Sequence, residues 1–281
     1  MIRAPAVAGQ FYASTKPELV KQLDACFKSK LGPGILKKAP TKKFPMVSAG
    51  IAPHAGYPYS GAVAAHLFNV IKYSKQADTY IIIGPNHTGQ GAPISISGAE
   101  AWATPLGQVK LDNQIAQDLV DETGMVDIEE IAHLYEHSIE VQVPFLQHVQ
   151  KTKKFKIVPI CMARQELSVA QELGEAIAKV CADKKVTVIA STDFSHYITQ
   201  KQAEAIDSSA IKEIETLNIF GFNKFLQAKQ PSICGPGPMI TAMAFAREKG
   251  AQAGHLLKYA TSGATTKDLM KVVGYASMLF E

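Results

Sequence analysis

Two short runs, Thr79–Gly84 (TYIIIG) and Val186–Ser191 (VTVIAS), are almost wholly apolar and rich in β-branched residues. Six residues are too few for a buried helix, and a strand with one wet face would alternate polar and apolar positions. Both runs therefore read as central strands covered by helices on either side. Strands of that kind are joined by helical crossovers, and the flanking sequence supplies them. Further strand patterns lie at Met46–Ala52, Phe155–Ile160 and Met270–Phe280, with a shorter one at Pro93–Ser97 suited to an edge.

Helical spacing runs over Ser60–Tyr73, where Val63, Leu67, Val70 and Ile71 share a face behind a serine cap. Asp112–Thr123 has an aspartate at its start and Gly124 just past its end, the residue type that closes helices. His137–Val149, Glu166–Cys181, Gln200–Leu217 and Pro238–Lys249 carry similar patterns, and the Lys-, Gly- and Pro-rich Lys28–Phe44 reads as a surface excursion. This alternation predicts one α/β domain over residues 1–281. A content of 47% hydrophobic and 19% charged residues supports such a core and excludes intrinsic disorder.

The net charge of +4 is spread over the pairs Lys37-Lys38, Lys42-Lys43, Lys153-Lys154 and Lys184-Lys185 in polar stretches. Solvated loops fit these pairs better than the basic stripe of a nucleic-acid surface, so no nucleic-acid partner is expected. The four cysteines form no CxxC, which argues against a disulfide scaffold or a zinc knuckle. Cys26, Cys161 and Cys181 stand in apolar contexts and read as buried. No stretch approaches the roughly 20 apolar residues of a membrane span, and MIRAPAVAGQFYAST lacks the apolar centre of a signal peptide. The expectation is a cytoplasmic protein with no membrane partner. The phosphate loop GxxxxGK[ST], GxGxxG, GxSxG and HExxH are all missing.

The chemistry gathers after the strands. Pro53-His54-Ala55-Gly56-Tyr57 follows the first, Pro85-Asn86-His87 follows TYIIIG, and Thr192-Asp193-Phe194-Ser195-His196 follows VTVIAS. Ligands of open α/β sheets bind at the carboxyl ends of strands, so three strand-end histidines point to one pocket there. His137 and Glu140 lie three apart at the start of a helical pattern, either as one functional face or as a capping arrangement. Cys234, in Ser232-Ile233-Cys234-Gly235-Pro236-Gly237-Pro238, precedes another helix whose dipole would favour a thiolate. Imidazoles and a thiolate are the ligands that borderline and soft transition metals take. Asp193 either caps its turn or orients His196. His66 reads as a core or boundary residue, and His133, His148 and His255 join no constellation.

The blocks RAPAVAGQFY, APHAGYPYSG, IIIGPNH, WATPLG, EHSIEVQVPFL, STDFSHY and ICGPGP, in this order from Arg3 to Phe280, resemble the Memo family. Its prokaryotic members are called AmmeMemoRadiSam system protein B. The resemblance implies a three-layer α/β/α domain around a mixed sheet with a parallel centre, like that of the class III, non-haem Fe(II) extradiol dioxygenases. It also implies metal positions at His54, His87 and Cys234, an acid/base histidine at His196, and pocket residues at His137 and Asp193 acting with it in catalysis. Two departures follow. Cys234 stands where the dioxygenases use a carboxylate, which makes copper or zinc competitors to iron. Pro236 and Gly237 stand where animal relatives carry a basic residue and a histidine. The expected function is a metal-dependent oxidoreductase, using iron or copper on a small-molecule or peptide ligand held in the strand-end pocket. The alternative is a non-catalytic metal- or peptide-binding module, and a zinc hydrolase is a third reading.

Overall fold

In the computed structural model, which describes residues 1–34, 44–151 and 154–281, the TYIIIG run becomes a strand, Thr79–Pro85, buried at every position. Successive side chains of a strand point to opposite faces. Here Ile81 and Ile83 enter one hydrophobic core, and Tyr80 and Ile82 enter the other. Covered on both sides, the run has no position at which a polar residue could face water. Each such isoleucine contributes about 1.5–3 kcal/mol by burial.

The strands are β1 (Ile2–Arg3), β2 (Ala49–Ala52), β3 (Thr79–Pro85), β4 (Ile94–Ile96), β5 (Ala101–Thr104) and β6 (Gly107–Lys110), then β7 (Asp127–Ile128), β8 (Lys156–Met162), β9 (Val186–Ser191), β10 (His196–Ile198), β11 (Gly254–Thr261) and β12 (Val272–Phe280). The large sheet runs β10-β12-β2-β9-β3-β8-β4-β7, with β11 along the other edge of β12. Its centre, β2-β9-β3-β8, is parallel, while β12 and β4 flank it antiparallel. The Pro93–Ser97 pattern was expected at an edge; β4 is instead an inner strand, because the two-residue β7 pairs outside it. A small second sheet joins β1, β5 and β6.

The helices are α1 (Lys16–Lys28), α2 (Ala62–Tyr73), α3 (Asn113–Thr123), α4 (Val143–Val149), α5 (Leu167–Val180), α6 (Gln200–Glu215), α7 (Ile219–Lys229), α8 (Pro236–Glu248) and the single turn α9 (Gly263–Thr266). Leu19, Leu67, Phe68 and Phe145 of α1, α2 and α4 cover one face of the sheet; α3, α5, α6, α7 and α8 cover the other. The result is the expected three-layer α/β/α fold around a mixed sheet. Cys26, Cys161 and Cys181 are buried within it, as their contexts suggested. Among the described residues no helix is long and apolar enough to cross a membrane.

Local departures have local causes. A π-helical turn, Tyr57–Gly61, precedes α2, and the Ser60 hydroxyl donates to the Ala55 carbonyl (2.8 Å), so it does not cap the helix. Asp112 precedes α3, but its carboxylate accepts from Thr79 Oγ1 (2.7 Å) and faces Lys156 Nζ (3.4 Å). Gly124 closes α3 at φ +61°, as its position predicted. Helical structure expected from His137 begins only with a 3₁₀ turn at Glu140–Gln142 and becomes α4 at Val143. Lys37-Lys38, Lys42-Lys43, Lys153 and most of the Lys28–Phe44 excursion lie outside the described residues.

Candidate metal centre

Because β2, β9 and β3 are parallel neighbours, their carboxyl ends lie side by side, about 4.8 Å apart. The residues that follow them therefore converge. His54 comes two residues after β2 and His87 two after β3, and their rings meet edge to face at 5.1 Å. His137 arrives from the loop before the 3₁₀ turn, stacked on His87 at 4.6 Å and edge-on to His54 at 5.3 Å. Ring nitrogens of the three lie within 4.8 Å of one another, so His54, His87 and His137 could hold a metal ion. The Phe11 ring packs 4.6 Å from His137.

Hydrogen bonds fix how two of these rings present themselves. Ser191 Oγ has one proton and donates it to the Ser138 carbonyl (2.5 Å). It must therefore accept from Gln142 Nε2 (2.8 Å) and from His54 Nδ1 (3.2 Å), which leaves the lone pair of His54 on Nε2. Glu136 does the same for His87: its Oε1 accepts from His87 Nδ1 (2.9 Å), so Nε2 is the free nitrogen. The same carboxylate accepts backbone N–H groups of His87, His137 and Ser138, and lies 3.3 Å from His137 Nδ1. The Ser138 hydroxyl in turn donates to the Pro85 carbonyl at the end of β3 (3.0 Å), and a Cβ at Gly84 would collide with it. Only glycine lets this loop close on the strand end.

The electrostatics match that wiring. Burial lowers His54 well below its ordinary value, with the neighbouring histidines adding to the effect. Burial likewise brings His137 down to about 4 against the opposing pull of Glu136. Burial would raise the Glu136 carboxyl, but the hydrogen bond and charge of His87, with His137 and the Ser138 N–H, outweigh it and hold Glu136 at about 2. His54 and His137 are thus neutral, with lone pairs available, throughout the physiological range.

A second wall faces the histidines. Cys234 Sγ lies 3.2 Å from His54 Nε2, accepts the Asp193 N–H (3.2 Å) and sits 3.6 Å from Thr192 Oγ1. Burial pushes the thiol up to about 12, and the Asp193 carboxylate adds to the rise, so any pull of the α8 dipole toward thiolate is outweighed. Asp193 accepts the His54 backbone N–H (2.8 Å), and burial raises its carboxyl to about 6. It therefore anchors the His54 turn; its hydrogen bonds do not go to His196. The His196 ring is oriented by a different partner, with Nδ1 donating to the Ser232 carbonyl (2.7 Å) and leaving Nε2 free. The Ser232 hydroxyl also accepts the His196 backbone N–H (2.7 Å).

The pairing of His137 with Glu140 on a helix face does not form, because the chain is not yet helical there. Glu140 turns away and accepts from Arg3 Nη1 (2.6 Å), the Tyr12 hydroxyl (2.5 Å) and the backbone N–H groups of Ala6 and Val7 (2.7 and 3.1 Å). Arg3, buried and 4.1 Å over the Trp102 ring, also donates to the carbonyls of His133 (2.7 Å) and Glu136 (2.9 Å). The RAPAVAGQFY block is thus the buttress of the loop that carries Glu136 and His137. Sequence reasoning missed Glu136, Arg3, Ser191 and Gln142. Of these only Glu136 carried a readable sign, an acid directly beside a candidate ligand histidine. His66, His133, His148 and His255 bond instead to Leu31, Ser95, Asp24 and Glu281.

A family profile described as "Memo-like protein" matches residues 3–279. The MEMO1 family protein MK0963 of Methanopyrus kandleri is 45% identical, with 100% of this chain and 99% of the relative covered. MEMO1 family proteins of Sulfurisphaera tokodaii and Sulfolobus acidocaldarius are each 44% identical at the same coverage. Among solved structures, that of the uncharacterized protein JW3007 from Escherichia coli K12 matches with a TM-score of 0.59 at 10% identity. It covers 83% of this chain and 99% of that one, a likeness of fold alone.

Proposed function

The chain belongs to the Memo family, and from that premise we propose that it is a metal-dependent oxidoreductase whose centre is the strand-end histidine cluster. The observation that carries this reading is the convergence of three imidazoles within 4.8 Å. The donor set suits such an ion: imidazole nitrogens with a buried carboxylate behind them, and one sulfur at the edge, fit iron, copper or zinc. His54 and His87 are its core ligands, with His137 and Cys234 as the further donors at hand. When bound, the metal would supply a Lewis-acidic, redox-active centre.

The chain's own residues do the remaining work. His196, held by Ser232 through Nδ1, moves a proton at Nε2 to or from the bound ligand. Asp193 holds the His54 turn in place through its backbone N–H. The ligand is a small molecule or short peptide met at the strand ends, and the setting is cytoplasmic, with no nucleic-acid or membrane partner. The acting unit is residues 1–281 as one domain.

Metal content of anaerobically purified protein, compared with a His54→Ala/Cys234→Ala double variant, tests the centre. Near-stoichiometric iron or copper that disappears in the variant is the expected result. No metal in either protein, even after reconstitution with Fe(II), Cu(I) or Zn(II), would overturn the proposal. His196→Ala should retain metal and lose O₂-dependent turnover. Metal bound with no O₂ consumption on any catechol-like substrate would instead favour the non-catalytic metal-binding module.

A further inference from the structure

Three of the four central parallel strands deliver a residue described above: β2 leads to His54, β3 to His87 and β9 to Asp193. The fourth, β8, is followed by Ala163-Arg164-Gln165 and brings no histidine. Its contribution is an amide that spans the cysteine loop. Gln165 Nε2 donates to the Cys234 carbonyl (3.1 Å), and Gln165 Oε1 accepts the Gly237 N–H (3.0 Å). The two partners, a carbonyl and an N–H, fix which way the amide faces.

The loop is seated closely on this clamp. A Cβ at Gly237 would lie 2.8 Å from the Gln165 Cβ, and one at Gly235 would lie 2.8 Å from the Thr192 side chain. Thr192 Oγ1 accepts the Gly235 N–H (3.0 Å). Pro236 and Pro238 restrict the backbone between and beyond these anchors. The backbone that carries the Cys234 sulfur is therefore held by neutral side chains outside the histidine cluster, together with the Asp193 carbonyl, which accepts the Cys234 N–H (3.3 Å).

We infer that Gln165 is the positioning residue for Cys234, and that its two hydrogen bonds hold the sulfur against His54, where it takes part in metal binding. The second half of this inference rests on the metal-centre reading; the first half does not. Gln165→Met fills the same space without hydrogen bonds, while Gln165→Glu keeps the acceptor for the Gly237 N–H.

In metal-free protein, alkylation by iodoacetamide, followed residue by residue by mass spectrometry, should be several-fold faster at Cys234 in Gln165→Met. The buried Cys26, Cys161 and Cys181 should stay slow, and their labelling would expose a variant that had unfolded. Titration with Co(II) should give a thiolate-to-cobalt charge-transfer band in the unaltered protein. Gln165→Met should weaken that band and lower cobalt affinity by about 10-fold, the usual loss when an outer partner of a ligand is removed. Gln165→Glu should fall between, and it carries the test if Gln165→Met does not fold. Alkylation rates equal to those of the unaltered protein would overturn the clamp. Cobalt bound without a thiolate band, or no cobalt bound, would overturn the role of Cys234 in metal binding while the alkylation rates still decide on Gln165.

Discussion

The two walls of the centre are built by opposite means. On the histidine wall, a buried carboxylate, Glu136, gathers a ring N–H and three backbone N–H groups, and behind it the buried Arg3–Glu140 ion pair fixes the same loop. On the cysteine wall the positioning groups are neutral: Thr192 and Gln165 on the Cys234 loop, Ser232 on His196. Its buried acid, Asp193, carries a raised pKa where Glu136 carries a depressed one. Charge-assisted bonds are roughly twice as strong as neutral ones and costly to break when buried. The histidine wall is therefore the more rigidly held of the two.

The strongest way to break this contrast is at the buttress. Arg3→Met leaves Glu140 buried and uncompensated, and should cost about 3–5 kcal/mol in urea unfolding. A loss below about 1 kcal/mol would mean that the pair does not hold the wall. Next comes Glu136→Gln, which should weaken metal binding about 10- to 100-fold in competition with a chelator. An unchanged affinity would show that His87 needs no carboxylate behind it.

The pH dependence sharpens the comparison, because the walls have opposite signs. His137, lowered from 6.5 to about 4, stays neutral in the folded chain while the unfolded chain takes up a proton. Stability thus falls as pH drops from 6.5 toward 4, by up to about 1.4 kcal/mol per pH unit. Asp193, raised from 3.8 to about 6, keeps its proton longer in the folded chain, so its contribution is lost as pH rises from 3.8 to 6. Asp193→Asn should therefore steepen the rise of the urea midpoint with pH over that window, and an unaltered slope would refute the opposition. The smallest effect belongs to Ser232→Ala, whose bonds to His196 are solvent-exposed. It should lower thermal stability by less than about 1 kcal/mol, and a larger loss would place Ser232 among the rigid elements.

Much of the frame was readable from the chain. TYIIIG and VTVIAS are strands because no other element suits a short run buried on both faces, and the histidines after them reach one place because parallel strands end together. His54 and His87 meet at the strand ends, His137, read as a pocket residue and not as a ligand, completes the cluster with them, and Cys234 reaches it through His54. Legibility stopped where the partner is remote in sequence or the conformation irregular. Nothing near Arg3 says that it will meet Glu140, 137 residues away. Helical spacing linked His137 to Glu140, yet the chain there is not helical, and the acid that serves the histidines is its immediate neighbour. α1, α7 and the β5–β6 hairpin also went unread. The WATPLG stretch, Trp102–Gly107, lies within the hairpin, and Gly107 at φ +119° turns it.

The buttress has a further consequence for the order in which the protein is made. Arg3 and Phe11 are made well before Glu140, the carboxylate that Arg3 pairs with, and Cys234 follows Glu140 by almost a hundred residues. At about 5–20 residues per second, the first ligand waits many seconds for the last. A nascent chain can present His54 and His87 without any of the walls that would confine an ion between them. An ion would thus be confined only after both walls have formed, so any metal held there would reflect what the folded chain meets.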